Sequence, residues 1–296
     1  MITKISHFIN YFKYLKNPIS CLLFKFGLKN EVNVQFKYSD MSYKISDEKL
    51  LNRLMTFIPV VNKKYVDEYV LFISELVSSK EVISWGDVKI FNFSNETNFD
   101  ENPFYEYFMN GHYRSFDINY KNRTVIDIGS YVGDTALFFA SRGANVYGFE
   151  PVRKHYNYSL KLAELNPNID KRLHFFNFGV SDKPGKICID SMESTSEFRK
   201  SNDSYEVDII TLDDILSENN LKPDILKMDC EGCEFNIILN TDLSNFSDII
   251  FEHHSILVGK NYEMLIKKLN EQGFKIKFQK NEFEKFEDYG LIYAYK

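Results

Sequence analysis

The chain predicts an α/β fold: a Rossmann-like, mostly parallel sheet covered by helices, with a closing antiparallel strand and an N-terminal α+β extension. Three observations carry this. After residue 123, apolar runs of strand length alternate with helix-length amphipathic runs. The first strand run, in "VIDIGSYVGDT" (125–135), ends in an acid and opens into a turn with Gly129 and Gly133. The second, in "YGFEP", ends in Glu150, about twenty residues further on.

Residues 1–110 read as the extension and 111–296 as the sheet domain. Ile5, Phe8, Ile9, Phe12 and Leu15 recur at helical spacing and predict an amphipathic helix stopping near Asn17, because Pro18 follows. Val32, Val34 and Phe36 alternate with polar residues, as in a strand. Ser46-Asp47-Glu48 marks a helix start, and helical spacing then runs to about Ser79 with a break at Pro59. Trp85-Gly86-Asp87 predicts a hairpin with "VKIFNF" as its second strand, and 95–123 read as a connector. In the sheet domain "TVIDIG", "NVYGFE", "LHFFNFGV", "DILKMD" and "SDIIFEH" are strands. "DTALFFASRG", "VRKHYNYSLKLAELN", "EFNIILN" and "NYEMLIKKLNEQG" are helices, and "FKIKFQ" with "LIYAYK" forms a closing antiparallel pair.

With 44% hydrophobic residues among 296, the chain can bury a sizeable core. The net charge of −6 excludes the basic footprint of a general nucleic-acid binder. That charge is uneven: residues 1–30 carry five lysines and no acid, leaving −11 on the rest. Four cysteines form no framework, so a reducing, cytoplasmic setting is expected, and Cys230-x-x-Cys233 lacks the further ligands a zinc site needs. No secretory leader and no apolar run of bilayer length is legible.

The glycine turn departs from known phosphate cradles. A dinucleotide fingerprint has glycine where Asp127 stands, and a Walker loop needs Gly-Lys-Ser/Thr. A carboxylate there repels a diphosphate and suits a cationic, hydroxyl-bearing ligand. S-adenosylmethionine (SAM) has an ammonium, a sulfonium and no phosphate. The residues expected to hold it are Asp127, Gly129, Ser130, Tyr131, Gly133 and Asp134 in the turn, with Glu150 and Pro151 at the next strand end. Glu150 is placed to accept the ribose hydroxyls. Phe178 and Gly179 are candidates for the wall against the adenine.

From about Asn122 to the C-terminus the chain resembles the FkbM-type SAM-dependent methyltransferases, of the class I methyltransferase fold. The resemblance rests on "VIDIGSYVGDT", "YGFEPV", "FNFGVSDKPG", "ITLDDIL", "LKMDCEGCE" and "FEHHS", in that order. It implies methylation of a hydroxyl on a sugar, glycolipid or small metabolite. The alternatives are a tRNA methyltransferase, disfavoured by the acidic body, and a binding module that kept the fold without activity.

Methyl transfer to an alcohol needs somewhere for the hydroxyl proton to go. Asp229, Glu231 and His254 are the candidate catalytic residues, with His254 favoured over His253 because the family pattern is Glu-x-His and Glu252 shares its face. A neutral His254 would serve as base near neutral pH. The same three side chains also suit a divalent cation, which the sequence does not decide, and no metal is assigned. Lys227, two residues before Asp229, needs a carboxylate partner if it is interior. Residues 1–30 fit either peripheral contact with an anionic membrane or a helix docked on the acidic body, and the apolar content past Pro18 favours the second.

Overall fold

The computed structural model describes residues 2–61, 63–77, 80–92, 116–190, 204–218, 221–279 and 289–296. The chain divides into two units, Met1–Gly111 and His112–Lys296. The predicted connector lies mostly outside the described residues.

In the first unit, α1 (Ile2–Tyr14) and α2 (Pro18–Lys25) meet at a corner pinned by Asn17. The Asn17 amide donates to the Asn33 carbonyl at 2.6 Å, and its oxygen accepts from the Gln35 amide at 3.2 Å. Pro18 follows the end of α1 but also opens α2, where its fixed φ suits the first helical position. Only part of the stripe read from the sequence is buried. Tyr11 and Leu15 are buried, while Phe8, Ile9 and Phe12 are exposed. The helix is turned this way by Asn10, whose amide donates to the Met55 carbonyl at 3.1 Å, and by a Leu15–Phe36 bridge. The exposed ring of Phe8 stacks on Phe26, and Lys25 Nζ stands 5.5 Å from it; the expectation of membrane contact concerns this surface.

Strand β1 (Val32–Val34) pairs antiparallel with β2 (Tyr43–Ile45). Helix α3 (Glu48–Phe57) is capped by Asp47, which accepts from the Lys49 amide at 2.7 Å. The break at Pro59 separates it from α4 (Val66–Val77), which buries Tyr69, Val70 and Ile73. The hairpin about Gly86 is present as β3 (Val82–Trp85) and β4 (Val88–Phe91).

The second unit is built on seven strands in the order β13-β14-β12-β11-β5-β6-β7. They are β5 (Thr124–Ile128), β6 (Asn145–Phe149), β7 (Leu173–Phe176), β11 (Ile225–Met228), β12 (Asp248–His254), β13 (Lys275–Gln279) and β14 (Tyr289–Tyr295). β14 runs antiparallel to both neighbours; the other pairings are parallel. The fold class predicted from the sequence is therefore the observed one. Val125 to Ile128 are all buried, as expected of a strand covered on both faces. Helix α5 (Asp134–Ser141) follows β5, and α6 (Arg153–Leu165) follows β6 with His155, Ser159, Leu162 and Ala163 on its buried face. The core joins Ile126, Leu226, Met228, Phe235, Ile249, Phe251, Leu265 and Leu269 into one cluster.

One strand differs from its prediction. "LHFFNFGV" is not continuous: β7 ends at Phe176, and β8 (Gly179–Ser181) leaves for a separate sheet. Asn177 makes the break, its amide donating to the carbonyls of Glu150 (2.8 Å) and Pro151 (2.9 Å). The second sheet has the order β8-β10-β9, with β9 at Gly185–Asp190 and β10 at Ser204–Thr211, and it leads into α7 (Leu212–Glu218). Helix α8 (Cys233–Asn240) follows β11, and α9 (Ser255–Val258) and α10 (Glu263–Glu271) follow β12.

Candidate active site

Successive strands step from β5 outward to β6 and β7, then return to β11 and β12 on the other side. The switch therefore lies between β5 and β11, where sheets of this kind bind ligands beyond the carboxyl ends of their strands. Two groups of carboxylates stand there.

The first is shut. Asp127 and Lys227 are paired in register, both fully buried, with Nζ 3.0 Å from Asp127 Oδ1. Lys227 Nζ also donates to the Gly129 carbonyl at 2.7 Å, and Thr135 Oγ1 donates to Asp127 Oδ2 at 2.6 Å. Burial alone would lower the Lys227 pKa. The charges of Asp127 and Asp229 outweigh it, so the ammonium is held above its ordinary value. The interior pair expected for Lys227 is thus found, and it revises the reading of Asp127. That carboxylate turns into the sheet rather than towards a ligand.

The glycines of the turn are explained by the chain itself. Gly129 has φ +74°, and a Cβ there would lie 1.9 Å from the Asp229 carbonyl oxygen. At Gly133, φ is +86° and a Cβ would lie 2.8 Å from Ser159 Cβ. The close approach read from the sequence as a ligand's is made here by neighbouring backbone and side chains.

Around that turn other groups remain for a ligand. Ser130 Oγ and Asp134 Oδ2 are buried without a hydrogen-bond partner among the described residues. Burial lifts the Asp134 carboxyl well above the usual carboxylate range. Glu150 accepts from the Val152 amide at 2.8 Å and from the Tyr131 amide at 3.0 Å, with His155 Nδ1 3.6 Å away. Each of its oxygens keeps a further lone pair. The Tyr131 ring lies edge-on to His155, centroids 4.4 Å apart. Pro151 is half-buried beside Glu150, and Phe178 is partly buried against the core. Gly179 is buried in β8, where a Cβ would sit 3.4 Å from Ile187 and Ile209.

The second group is open. Asp229 follows β11 directly, its amide donating to the Ile128 carbonyl at 3.0 Å. Glu231 then takes left-handed backbone (φ 56°), and Gly232 (φ 112°) starts α8. Cys230 and Cys233 flank this turn and are joined by a disulfide, Cα atoms 5.5 Å apart, where free thiols were expected. Glu234 is buried. It accepts from the Cys230 amide at 2.9 Å and holds His254 Nδ1 at 3.1 Å. His254 Nε2 consequently faces Asp229 Oδ1 at 3.8 Å and Glu231 Oε2 at 3.6 Å. Asp229, Glu252 and His254 each bring a ligand atom within 4.8 Å of the others. His253 points elsewhere, to Ser255 Oγ at 3.0 Å and onto the ring of Tyr262.

The structure thus brings Asp229, Glu231 and His254 together, but it changes the role of the histidine. Burial would lower its pKa; the hydrogen bond to Glu234 and the carboxylates of Glu234, Asp229 and Glu231 push it up to about 10. In this cluster His254 is an imidazolium at neutral pH, where a neutral base was expected. Sequence reasoning omitted Glu234 and Glu252 from the candidate set. Strand alternation in "FEHHS" already carried the signal for Glu252; Glu234 looked like a solvated helix-start charge.

The family model of the methyltransferase FkbM domain matches residues 127–276, about half of the chain. Among solved structures, methyltransferase FkbM from Methylobacillus flagellatus KT is 14% identical, with a TM-score of 0.48, over 82% of this chain and 60% of that one. The chain therefore spans less than two thirds of that protein's length. Magnesium protoporphyrin IX methyltransferase from Synechocystis PCC 6803, with bound SAM, is 16% identical (TM-score 0.37; 62% of this chain, 74% of that one). The tRNA (uracil-54, C5)-methyltransferase of Pyrococcus abyssi, in complex with S-adenosyl-L-homocysteine, is 14% identical (TM-score 0.41; 73% and 43%). No curated protein matches.

Proposed function

The chain belongs to the FkbM methyltransferase domain family, and from that premise we propose that it is a SAM-dependent O-methyltransferase acting on a hydroxyl of a sugar, glycolipid or small metabolite. The observation that carries this reading is the open carboxylate–histidine cluster standing one strand from the glycine turn. Bound SAM supplies a methyl group activated by its sulfonium. Ser130, Tyr131, Asp134 and Glu150 would hold it, since the turn presents two unsatisfied buried polar atoms beside a strand-end carboxylate. Asp229 or Glu231 takes the hydroxyl proton as the oxygen attacks, and the His254 imidazolium, fixed through Glu234, balances their charge and orients them. Placing the acceptor in line can lower the barrier by ~7–11 kcal/mol.

The charge of −11 outside residues 1–30 favours a neutral hydroxylated acceptor over RNA, whose phosphates call for a basic surface. The test has two parts. Calorimetry should show one SAM bound per chain, and labelled SAM should pass its methyl group to a glycan, lipid or metabolite fraction. Absence of both SAM and S-adenosylhomocysteine binding would leave only a fold without chemistry. Labelling confined to the RNA fraction would replace the acceptor class.

A further inference from the structure

We propose that Asp229, Glu252 and His254 form a binding site for a divalent transition-metal cation such as Mn²⁺, which takes the acceptor hydroxyl; the cation's purpose, though not its binding, rests on the methyltransferase reading. The three residues reach one point from two neighbouring parallel strands. Asp229 follows the last residue of β11, and Glu252 and His254 lie two apart on one face of β12. Their ligand atoms lie within 4.8 Å of one another. Atoms sharing an octahedral ion with bonds of about 2.1 Å stand roughly 3.0–4.2 Å apart, so a small closure seats a cation.

A second observation separates this from a mere collection of acids. The His254 side chain is only 5% exposed, and its Nδ1 is occupied by the buried Glu234 at 3.1 Å. Nε2 is aimed into the group and makes no hydrogen bond among the described residues; a cation takes the place of the proton that Nε2 carries in the cation-free cluster. Its nearest carboxylate oxygens stand at 3.6 and 3.8 Å, well beyond the ~2.7–2.9 Å of a direct charged pair. A carboxylate holding one ring nitrogen so that the other addresses a cation is the usual outer support of a metal-bound histidine. Two carboxylates with one imidazole suit Mn²⁺ better than Mg²⁺ or Ca²⁺, which prefer oxygen donors throughout.

Such a cation would lower the pKa of a coordinated hydroxyl. The hydroxyl proton passes to Glu231. An oxygen lone pair forms the new O–CH₃ bond, the S–CH₃ bond breaks, and its electrons return to sulfur as a thioether.

The experiment titrates the full-length protein with Mn²⁺, without SAM, and follows loss of the free Mn²⁺ paramagnetic resonance signal. One saturable Mn²⁺ site per chain is expected. Glu234→Gln should weaken it about 10–100-fold, Glu252→Gln at least as much, and Glu150→Gln should leave it unchanged. Should Glu252→Gln melt early, Glu252→Asp provides the folded comparison and should also bind more weakly. No saturable Mn²⁺ site, or one indifferent to changes at Glu234 and Glu252, overturns the proposal. Mn²⁺ binding in a protein that ignores SAM would keep the cation site and sink the methyltransferase reading; SAM binding without Mn²⁺ would do the reverse.

Discussion

The two carboxylate groups at the switch point differ in closure more than in composition. Asp127 and Lys227 neutralise each other in the sheet with no exposed surface, whereas Asp229 and Glu231 stand partly in solvent around an imidazole that is itself held from behind. One group closes on its own counter-charge inside the sheet, and the other keeps its carboxylates partly in solvent. Exposure and the position of the counter-charge separate the two.

The largest expected effect tests the shut group. Lys227→Met leaves Asp127 buried without its cation and should cost about 3–5 kcal/mol in denaturant unfolding. Adding Asp127→Asn should recover much of that loss; a double variant no better than the single would break the pairing reading. Next comes the open group. Asp229→Asn should lower turnover by ~10²–10⁴-fold while the melting temperature stays close to wild type. A large loss of stability there would erase the contrast between the groups. Smallest is Glu150→Gln, which keeps the shape but loses a charge that already serves two backbone amides. SAM affinity should fall by about 1.5–3 kcal/mol, and unchanged affinity in calorimetry would move the ribose contact elsewhere.

The sheet was legible because period and punctuation agreed from Thr124 onward: strand runs, Gly129, Gly133 and Gly143, then amphipathic helices. The face shared by Glu252 and His254, and the need of Lys227 for a carboxylate, also followed from alternation and burial cost. What did not follow depended on contacts between segments far apart in the chain. Asp127 looks like a ligand contact until Lys227, one hundred residues later, arrives beside it. Glu234 looks solvated until β12 brings His254 against it. The apolar stripe of α1 looks buried until Asn10 and Met55 fix the helix with Tyr11 inward. The small second sheet was hidden because Asn177, in mid-run, diverts the chain through its side chain, which no hydropathy pattern records.

The approach of Gly129 to Asp229 has a consequence for anyone altering specificity. A single added methyl at 129 would overlap the Asp229 carbonyl, and the Asp229 amide is tied to Ile128. The turn after β5 and the start of the "DCEGCE" segment therefore behave as one mechanical part. Substitutions in these two places should be epistatic, failing the additivity expected of independent sites. A directed-evolution library for new acceptors would do best to hold the β5–β11 junction constant.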